Sequence, residues 1–239
     1  MLPPGFHPAF RRMRDRSRYV LAFKYAILTP LYDWGMRHFL PEDRFKGQLV
    51  RQAEVWPGWR ILDLGCGTGT LTLRIKKAHR DAEVHGLDGD PRILKIAQAK
   101  VGRAELDITF RQGMASQLPY PDKYFDCILS SLLLHHLTRE DKISALREAF
   151  RVLRPGGQFH VADWGQGENR ALRARGLMVR VFDGFLTTAD NVKGLLPGLM
   201  RSAGFEDVDQ TAHYPTAFGS LRLFRAKKRD AGGTAKLGL

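Results

Sequence analysis

From Arg60 onward, short apolar runs alternate with stretches whose apolar residues recur at helical spacing. Few patterns restrict a chain more. Strands that are short and continuously apolar are buried on both faces, and parallel strands need a crossover between them, usually a helix. The sequence therefore predicts an α/β domain on a mostly parallel sheet. RILDLG (60–65), AEVHGLD (82–88), DITFRQG (107–113), FDCILSS (125–131) and GQFHVADW (157–164) are the five strands expected. Asp90 is placed to cap a helix with Pro91 at its first position, and Ile93, Leu94, Ala97 and Val101 supply its buried stripe. Thr138-x-x-Asp141 resembles a capping box ahead of Ile143, Leu146, Phe150 and Leu153, and Pro155-Gly156-Gly157 is the expected stop.

After Gly165 the pattern loosens into a helical stretch over residues 168–203, with Gly176, Gly184 and Gly194 as potential breaks. FEDVDQTAHYPTAFGSLRLFRAKK (205–228) reads as two strands with a turn near Pro215 and Gly219, a hairpin that adds an antiparallel edge. Three parts are expected: a basic amphipathic lid segment over 1–45, a main domain over 46–228 that carries 168–203 as a helical cap, and a flexible tail over 229–239. No internal repeat occurs.

Composition bounds the class more than the partner. With 239 residues, 44% hydrophobic and 26% charged, the chain can bury a core without disulfide staples, and disordered and fibrous classes are excluded. Two cysteines, Cys66 and Cys127, exclude a disulfide framework or a cysteine-rich zinc site and favour a reducing cytoplasm. No metal is expected. The net charge of +13 gathers at Arg11, Arg12, Arg14, Arg16 and Arg18, at Arg170, Arg173, Arg175 and Arg180, and at Lys227, Lys228 and Arg229. Such an excess attracts nucleic acid, anionic lipid or an acidic small molecule, and serves equally as a solvated surface. The longest apolar run, Tyr19 to Leu28, is interrupted by Lys24 and ended by Pro30, short of the roughly 20 residues a spanning helix needs. It has the basic flank of a signal peptide but no small-x-small cleavage site.

The segment Asp63-Leu64-Gly65-Cys66-Gly67-Thr68-Gly69 lies between the first strand and a helix, where glycines let the backbone turn tightly and approach a ligand. The dinucleotide fingerprint uses this position too. Two details separate the readings. The dinucleotide spacing puts its third glycine where this chain has Thr70, and Asp63 brings a carboxylate to the place of a pyrophosphate. That repels a doubly anionic group and favours a ligand carrying an ammonium and a sulfonium. Asp88, 23 positions past Gly65, is placed to accept both ribose hydroxyl hydrogens. Its bland alternative is a turn residue opening the next helix, a job Asp90-Pro91 already does; that of Asp63 is a buried carboxylate satisfied by loop amides.

ILDLGCGTGTL, VHGLDGDP, LPYPDKYFD, SSLLLHHL and LRPGGQFHVADW, in this order, resemble the class I S-adenosylmethionine-dependent methyltransferases. The likeness is nearest to the branch of the ubiquinone/menaquinone biosynthesis C-methyltransferases and covers roughly residues 30–228, with Leu31-Tyr32-Asp33 to Gln48 resembling that branch's N-terminal segment. The resemblance implies a Rossmann-like seven-stranded sheet with helices on both faces and one reversed strand. It implies S-adenosyl-L-methionine as cofactor, with the loop of Gly65, Cys66, Gly67 and Gly69 around its methionyl part and Asp63 near the amino group. Asp88, followed by Gly89, would hold the ribose; Gly113, Met114 and Ala115 would line the adenine; Ser130 and Leu132 would lie beside the methionyl tail. The family usually has an acid at the position of Met114, and a larger apolar residue at that of Gly89. Methionine accepts a hydrogen bond poorly, though it packs well on a ring.

Methyl transfer from a sulfonium is an in-line displacement that neutralises charge, so positioning and water exclusion dominate, and a base is needed only where the nucleophile must lose a proton. His135 and His136 follow the fourth strand, at the carboxyl edge where open-sheet sites lie. One of them could act as base or hold the acceptor; the alternative is an imidazole closing the turn before Thr138. Asp163 is the second catalytic candidate, to meet an amine or hydroxyl of the acceptor. Phe10, Tyr19, Phe23, Tyr25 and Tyr32, with Met178, Phe182 and Phe185, either pack a lid into the core or line a pocket for an apolar, lipid-like small-molecule acceptor. The first arginine cluster adds reversible contact with an anionic inner membrane surface to the expectation. A nucleic-acid methyltransferase lacks support, having neither an NPPY-like nor a Pro-Cys signature nor an appended binding module. A nicotinamide oxidoreductase is disfavoured by Asp63 and Thr70, and a non-catalytic cofactor-binding protein is kept in view by Met114 and Gly89.

Overall fold

The computed structural model describes residues 40–183 and 187–229. The expected strands form as β1 (Arg60–Leu64), β2 (Glu83–Asp88), β3 (Thr109–Gln112), β4 (Phe125–Ser131) and β5 (Leu153–Gly165), and the hairpin as β6 (Glu206–Thr216) and β7 (Gly219–Lys227). They build one seven-stranded sheet in the order β3-β2-β1-β4-β5-β7-β6. The first five are parallel and β7 runs antiparallel to both its neighbours, so the reversed strand stands one in from the edge that β6 completes. The chain moves outward from β1 to β2 and β3, then returns to start β4 on the other side of β1. That reversal opens a crevice at the carboxyl ends of β1 and β4.

The helices in order are α1 (Glu42–Arg51), α2 (Thr70–Ala78), α3 (Pro91–Gly102), α4 (Arg139–Val152), α5 (Arg170–Asp183), α6 (Ala189–Val192) and α7 (Leu196–Ser202). Both faces of the sheet are buried at its centre, while the edge strands β3 and β6 are largely exposed. Leu62, Leu64, Ile128, Phe159, Val161 and Phe224 pack with Leu146 and Ala149 of α4 and Met200 of α7. Ile61, Leu129, Ala162, Trp164 and Leu223 pack with Phe45 and Leu49 of α1 and Leu71 and Ile75 of α2. The period of two along each strand assigns alternate residues to opposite layers, and that parity decides where the polar residues at the strand ends point. Phe45 is fully buried, so the expected boundary at residue 45 falls inside α1, which belongs to the domain. Residues 1–39 of the expected lid, with its arginine cluster, and residues 230–239 of the expected tail lie outside the described residues.

The Asp90 carboxylate accepts from the Arg92 amide with Pro91 behind it, and Thr138 Oγ1 accepts from the Asp141 amide at 3.1 Å. Thr138→Ala is expected to lower stability by about 1 kcal/mol, read as a reduced urea midpoint at unchanged slope.

Two local expectations are corrected. Pro155-Gly156-Gly157 does not follow the helix as a stop. Leu153 already pairs with Phe125, and the next registered pair is Gln158 with Cys127, so the three residues form an irregularity within β5. A side chain on Gly157 would lie 2.8 Å from the Arg154 carbonyl oxygen. Gly176 does not break a helix either. It lies inside α5, where a side chain on Gly219 would come within 3.2 Å of the Gly176 Cα; the missing side chains allow helix and hairpin turn to approach closely. Gly194, at φ +75°, does separate α6 from α7, while Gly184 lies outside the described residues. Among the described residues no helix is long and apolar enough to cross a membrane.

Candidate active site

The loop from Gly65 to Gly69 leaves β1 and enters α2 with three glycines at positive φ: +73° at Gly65, +52° at Gly67 and +73° at Gly69. The Gly65 and Cys66 amides both donate to the Leu87 carbonyl at 2.9 Å, clamping the loop to β2. A side chain on Gly65 would strike Leu133 at 2.8 Å, whereas one on Gly67 would meet nothing within 4 Å. The loop is therefore packed on its inner side and open at Gly67. Cys66 is buried, which raises its thiol well above the usual range, so it is an inert wall.

Asp63 is 1% exposed and faces the layer of α1 and α2, as the parity of Ile61 requires. Its Oδ2 accepts from Thr72 Oγ1 at 2.6 Å, while its Oδ1 is buried with no hydrogen-bond partner. Burial raises its pKa to about 6 against the opposing pull of the Thr72 hydroxyl and the Lys46 charge; the Asp88 charge adds to the rise. A buried carboxylate with an unused oxygen is costly unless a donor meets it. Asp88 is half-buried at the end of β2. Its Oδ2 accepts from the Gly67 amide at 2.9 Å and its Oδ1 from the Asp90 amide at 3.0 Å, so one carboxylate braces both the loop and the turn into α3.

The remaining expected residues are arranged less uniformly. The Gly113 amide donates to the Asp88 carbonyl at 3.0 Å, and the position of a Gly113 side chain is filled by Leu87 and Pro119. Gly89 is half-buried and its carbonyl accepts from Gln112 Nε2 at 3.3 Å. Met114 is half-buried beside them, but Ala115 packs into the core with Leu87 and Leu118. Ser130 faces the other layer, and its hydroxyl donates to the Leu64 carbonyl at 3.0 Å. Ser131, one residue on, shares the face of Leu129 and Asp63, and its buried Oγ has no hydrogen-bond partner. Leu132 adopts φ +56°, a strained value for a leucine, with its amide donating to the Ala162 carbonyl at 2.8 Å.

Past Leu132 a single 3-10 turn (Leu134–His136) brings His135 against the end of β5, where its Nδ1 lies 2.7 Å from Asp163 Oδ1. Asp163 is fully buried. Its Oδ1 also accepts from the Trp164 amide at 2.7 Å, and its Oδ2 accepts from the Leu134 amide at 2.8 Å. Burial raises its pKa, but the His135 charge and hydrogen bond, the Trp164 amide and Lys142 outweigh this and hold it below the ordinary value. Asp163 was expected to meet an acceptor amine or hydroxyl; here both its oxygens are engaged inside the protein, where they hold the 3-10 turn and the ring of His135. The His136 ring lies tilted against that of His135, with centroids 3.9 Å apart. Burial, with the neighbouring His135 charge, pushes it down to about 3 despite Asp163, which makes it too weak a base to compete for a proton at neutral pH.

Three polar residues here escaped the sequence reading. Thr72 lies between the buried Leu71 and Leu73 on α2, and Ser131 is distinguished from Ser130 only by strand parity. Lys142 is fully buried on the apolar stripe of α4 and donates to Asn191 Oδ1 at 2.7 Å and the Thr187 carbonyl at 3.1 Å. It ties the segment leading into α6 to α4, and a lysine among Ala145, Leu146 and Ala149 at helical spacing was its signal.

Residues 61–157, which carry this crevice, match the family described as a methyltransferase domain. Over 229 residues the chain is 30% identical to the ubiquinone/menaquinone biosynthesis C-methyltransferase of Vibrio cholerae, covering 87% of this chain and 84% of that protein. The chain belongs to the class I S-adenosylmethionine-dependent methyltransferases. The methyltransferase is as similar, at 30% over 229 residues, to the enzyme of the same name from Edwardsiella ictaluri, which places it near that branch. Its fold is shared with phosphoethanolamine N-methyltransferase 2 of Haemonchus contortus, solved with S-adenosylhomocysteine, at a TM-score of 0.65 and 16% identity over 78% of this chain and 53% of that one. It is shared also with the Bacillus subtilis protein YcgJ, at a TM-score of 0.64 and 18% identity over 79% of this chain and 99% of that one. The methyltransferase therefore uses S-adenosylmethionine. Its crevice fits that group: the unpartnered Asp63 Oδ1 is an acceptor awaiting a donor, which an ammonium supplies and a pyrophosphate does not.

Proposed function

We propose that the methyltransferase transfers a methyl group to an apolar, quinone-like small molecule held at the carboxyl edge of β4 and β5. What supports the acceptor class is the 30% identity to quinone C-methyltransferases over most of both chains. When bound, S-adenosylmethionine supplies an electrophilic methyl on a sulfonium. Asp63 orients its ammonium, Asp88 accepts from the ribose hydroxyls, and the loop Gly65, Cys66, Gly67 and Gly69 fixes the methionyl chain, with Ser131 rather than Ser130 beside it and Leu132 next in line. Gly89, Gly113 and Met114 border the adenine, and Ala115 supports them from the core. His135, with its ring fixed by Asp163, is the side chain suited to take a proton from an acceptor hydroxyl, and Asp163 is its positioning residue. Peripheral contact with an anionic inner membrane surface is part of the same reading, since an apolar acceptor resides there.

Incubation of the protein with methyl-labelled donor and a lipid extract is expected to place label in an organic-soluble product with a quinone's absorbance. Label confined to RNA or to water-soluble products would overturn the acceptor class. Met114 gives a finer check. An acid at that position restores an acceptor for the adenine amino group, so Met114→Asp is expected to tighten donor binding about fivefold, the worth of one hydrogen bond of about 1 kcal/mol, in a calorimetric titration.

A further inference from the structure

Where β5 ends, two residues past Asp163, the chain surrounds a partly open cavity of about 100 Å³. Its walls come from Gly165 and Gln166 at the strand end, Asn191 of α6, Leu196 of α7, Gln210 of β6 and Arg222 of β7. Helix α6 packs against both β5 and the 3-10 turn of His135, so the cavity shares the strand end that carries that ring. Pockets for whole small molecules begin at roughly 300 Å³, so this one takes a substituent rather than a ring system.

Two side-chain amides line it, and a cation sets the orientation of each. Lys142 Nζ donates to Asn191 Oδ1 at 2.7 Å, and Arg222 donates through Nη1 to Gln210 Oε1. Lysine and arginine accept no hydrogen bond, so each amide turns its oxygen to the cation and keeps its amino end for another partner. Asn191 is fully buried and its Nδ2 has no partner, which is costly unless an acceptor meets it. The cations are themselves secured. Lys142 is fully buried and also donates to the Thr187 carbonyl at 3.1 Å. Arg222 Nε donates to the Gln166 carbonyl at 2.9 Å, and its stem fills the place of a side chain on Gly165, so a glycine ends β5. Each has a carboxylate at 3.8 Å, Asp190 for Lys142 and Glu168 for Arg222, which balances the charge.

We infer that this cavity is a subsite for a carbonyl oxygen of the methyl acceptor, bound by the amino ends of Asn191 and Gln210. It rests on the acceptor being held at the carboxyl edge of β4 and β5, and it names what that acceptor must carry. Two lone pairs on a carbonyl match two donors. A carboxylate gains no net attraction from a charge-balanced site, and a hydrocarbon leaves Asn191 Nδ2 unmet. Lys142 and Arg222 are positioning residues, since they touch the amides and not the acceptor.

The test is equilibrium dialysis of the protein loaded with S-adenosylhomocysteine against two compounds: dimethylnaphthoquinone, with both free carbons of the quinone ring blocked by methyl groups, and dimethylnaphthalene, the same skeleton without oxygen. The native protein is expected to prefer the quinone about twentyfold, the worth of two neutral hydrogen bonds. Asn191→Asp keeps an acceptor for Lys142 but exchanges the donor for an oxygen. It should cut the preference to about fourfold or less, with binding of the hydrocarbon and of S-adenosylhomocysteine unchanged. Should that variant fail to fold, Gln210→Glu decides: it makes the same exchange at an exposed residue, keeps Arg222 paired, and should lower the preference about fivefold. Equal affinity of the native protein for the two compounds overturns the carbonyl subsite and leaves an apolar acceptor standing. A native protein that binds neither overturns the acceptor class and the subsite with it, and a preference unchanged in the variants overturns the roles of the amides.

Discussion

Asp88→Ala is expected to weaken S-adenosylmethionine binding at least about a hundredfold while the protein stays folded. Two effects combine. In the proposed site the carboxylate is the acceptor offered to the ribose, and a hydrogen bond to a charged group contributes about 1.5–3 kcal/mol, so losing two exceeds the roughly 2.8 kcal/mol that a hundredfold requires. It is also the brace of the loop, through the Gly67 amide at 2.9 Å, so its removal frees the loop glycine whose side-chain position is open. Because Asp88 is half-buried, the amides it releases can turn to water, and the thermal midpoint should fall only a few degrees. Calorimetry beside a melting curve separates the two quantities. An affinity within threefold of the native protein would remove Asp88 from the donor site.

The second large effect lies in stability. Asp163→Ala is expected to cost about 3–5 kcal/mol in a urea unfolding curve, because it leaves a buried imidazole and the Leu134 and Trp164 amides without their acceptor. Asp163→Asn preserves shape and should cost less, yet methyl transfer should fall in both, since the His135 ring loses the partner that orients it. The pH dependence has a definite sign. The Asp163 pKa is below its ordinary value of 3.8, so its contribution is present above that value and is lost as pH falls through the lower folded pKa. The native protein should therefore lose stability below about pH 4, and Asp163→Asn should lack that part of the decline. Equal acid sensitivity in the two would contradict the assignment.

The fold was legible because the strand signals were strong: FDCILSS (125–131) forms β4 residue for residue, and the caps at Asp90 and Thr138 rest on local hydrogen bonds that side-chain chemistry dictates. What local reading missed depends on the third dimension. Pro155-Gly156-Gly157 has the composition of a helix stop, but whether it ends a helix or interrupts a strand depends on Phe125 and Lys228 of distant elements pairing around it. Gly176 looked like a break because the hairpin turn that needs its bare Cα is more than forty residues away in sequence. In the crevice, the positions of Asp63 and Asp88 at strand ends could be read from the sequence, but not that one Asp63 oxygen is buried without a partner or that Asp88 braces the Gly67 amide. Which layer Ser130 and Ser131 each face, and that the Leu134 and Trp164 amides donate to Asp163, depend on the packed sheet and are not visible in the sequence.

The claim on which the rest depends is that Asp63, with one buried carboxylate oxygen left without a partner, selects a cationic donor. Its carboxyl must be ionised to do so, and burial has raised its pKa from 3.8 to about 6. Binding should accordingly strengthen as pH rises through that value. Calorimetric titration of S-adenosylmethionine between pH 5 and 8 tests this directly: affinity should rise about tenfold from pH 5 to 7 and level off above, with no binding of NADH at any pH. A flat profile, or NADH bound more tightly than S-adenosylmethionine, would contradict it.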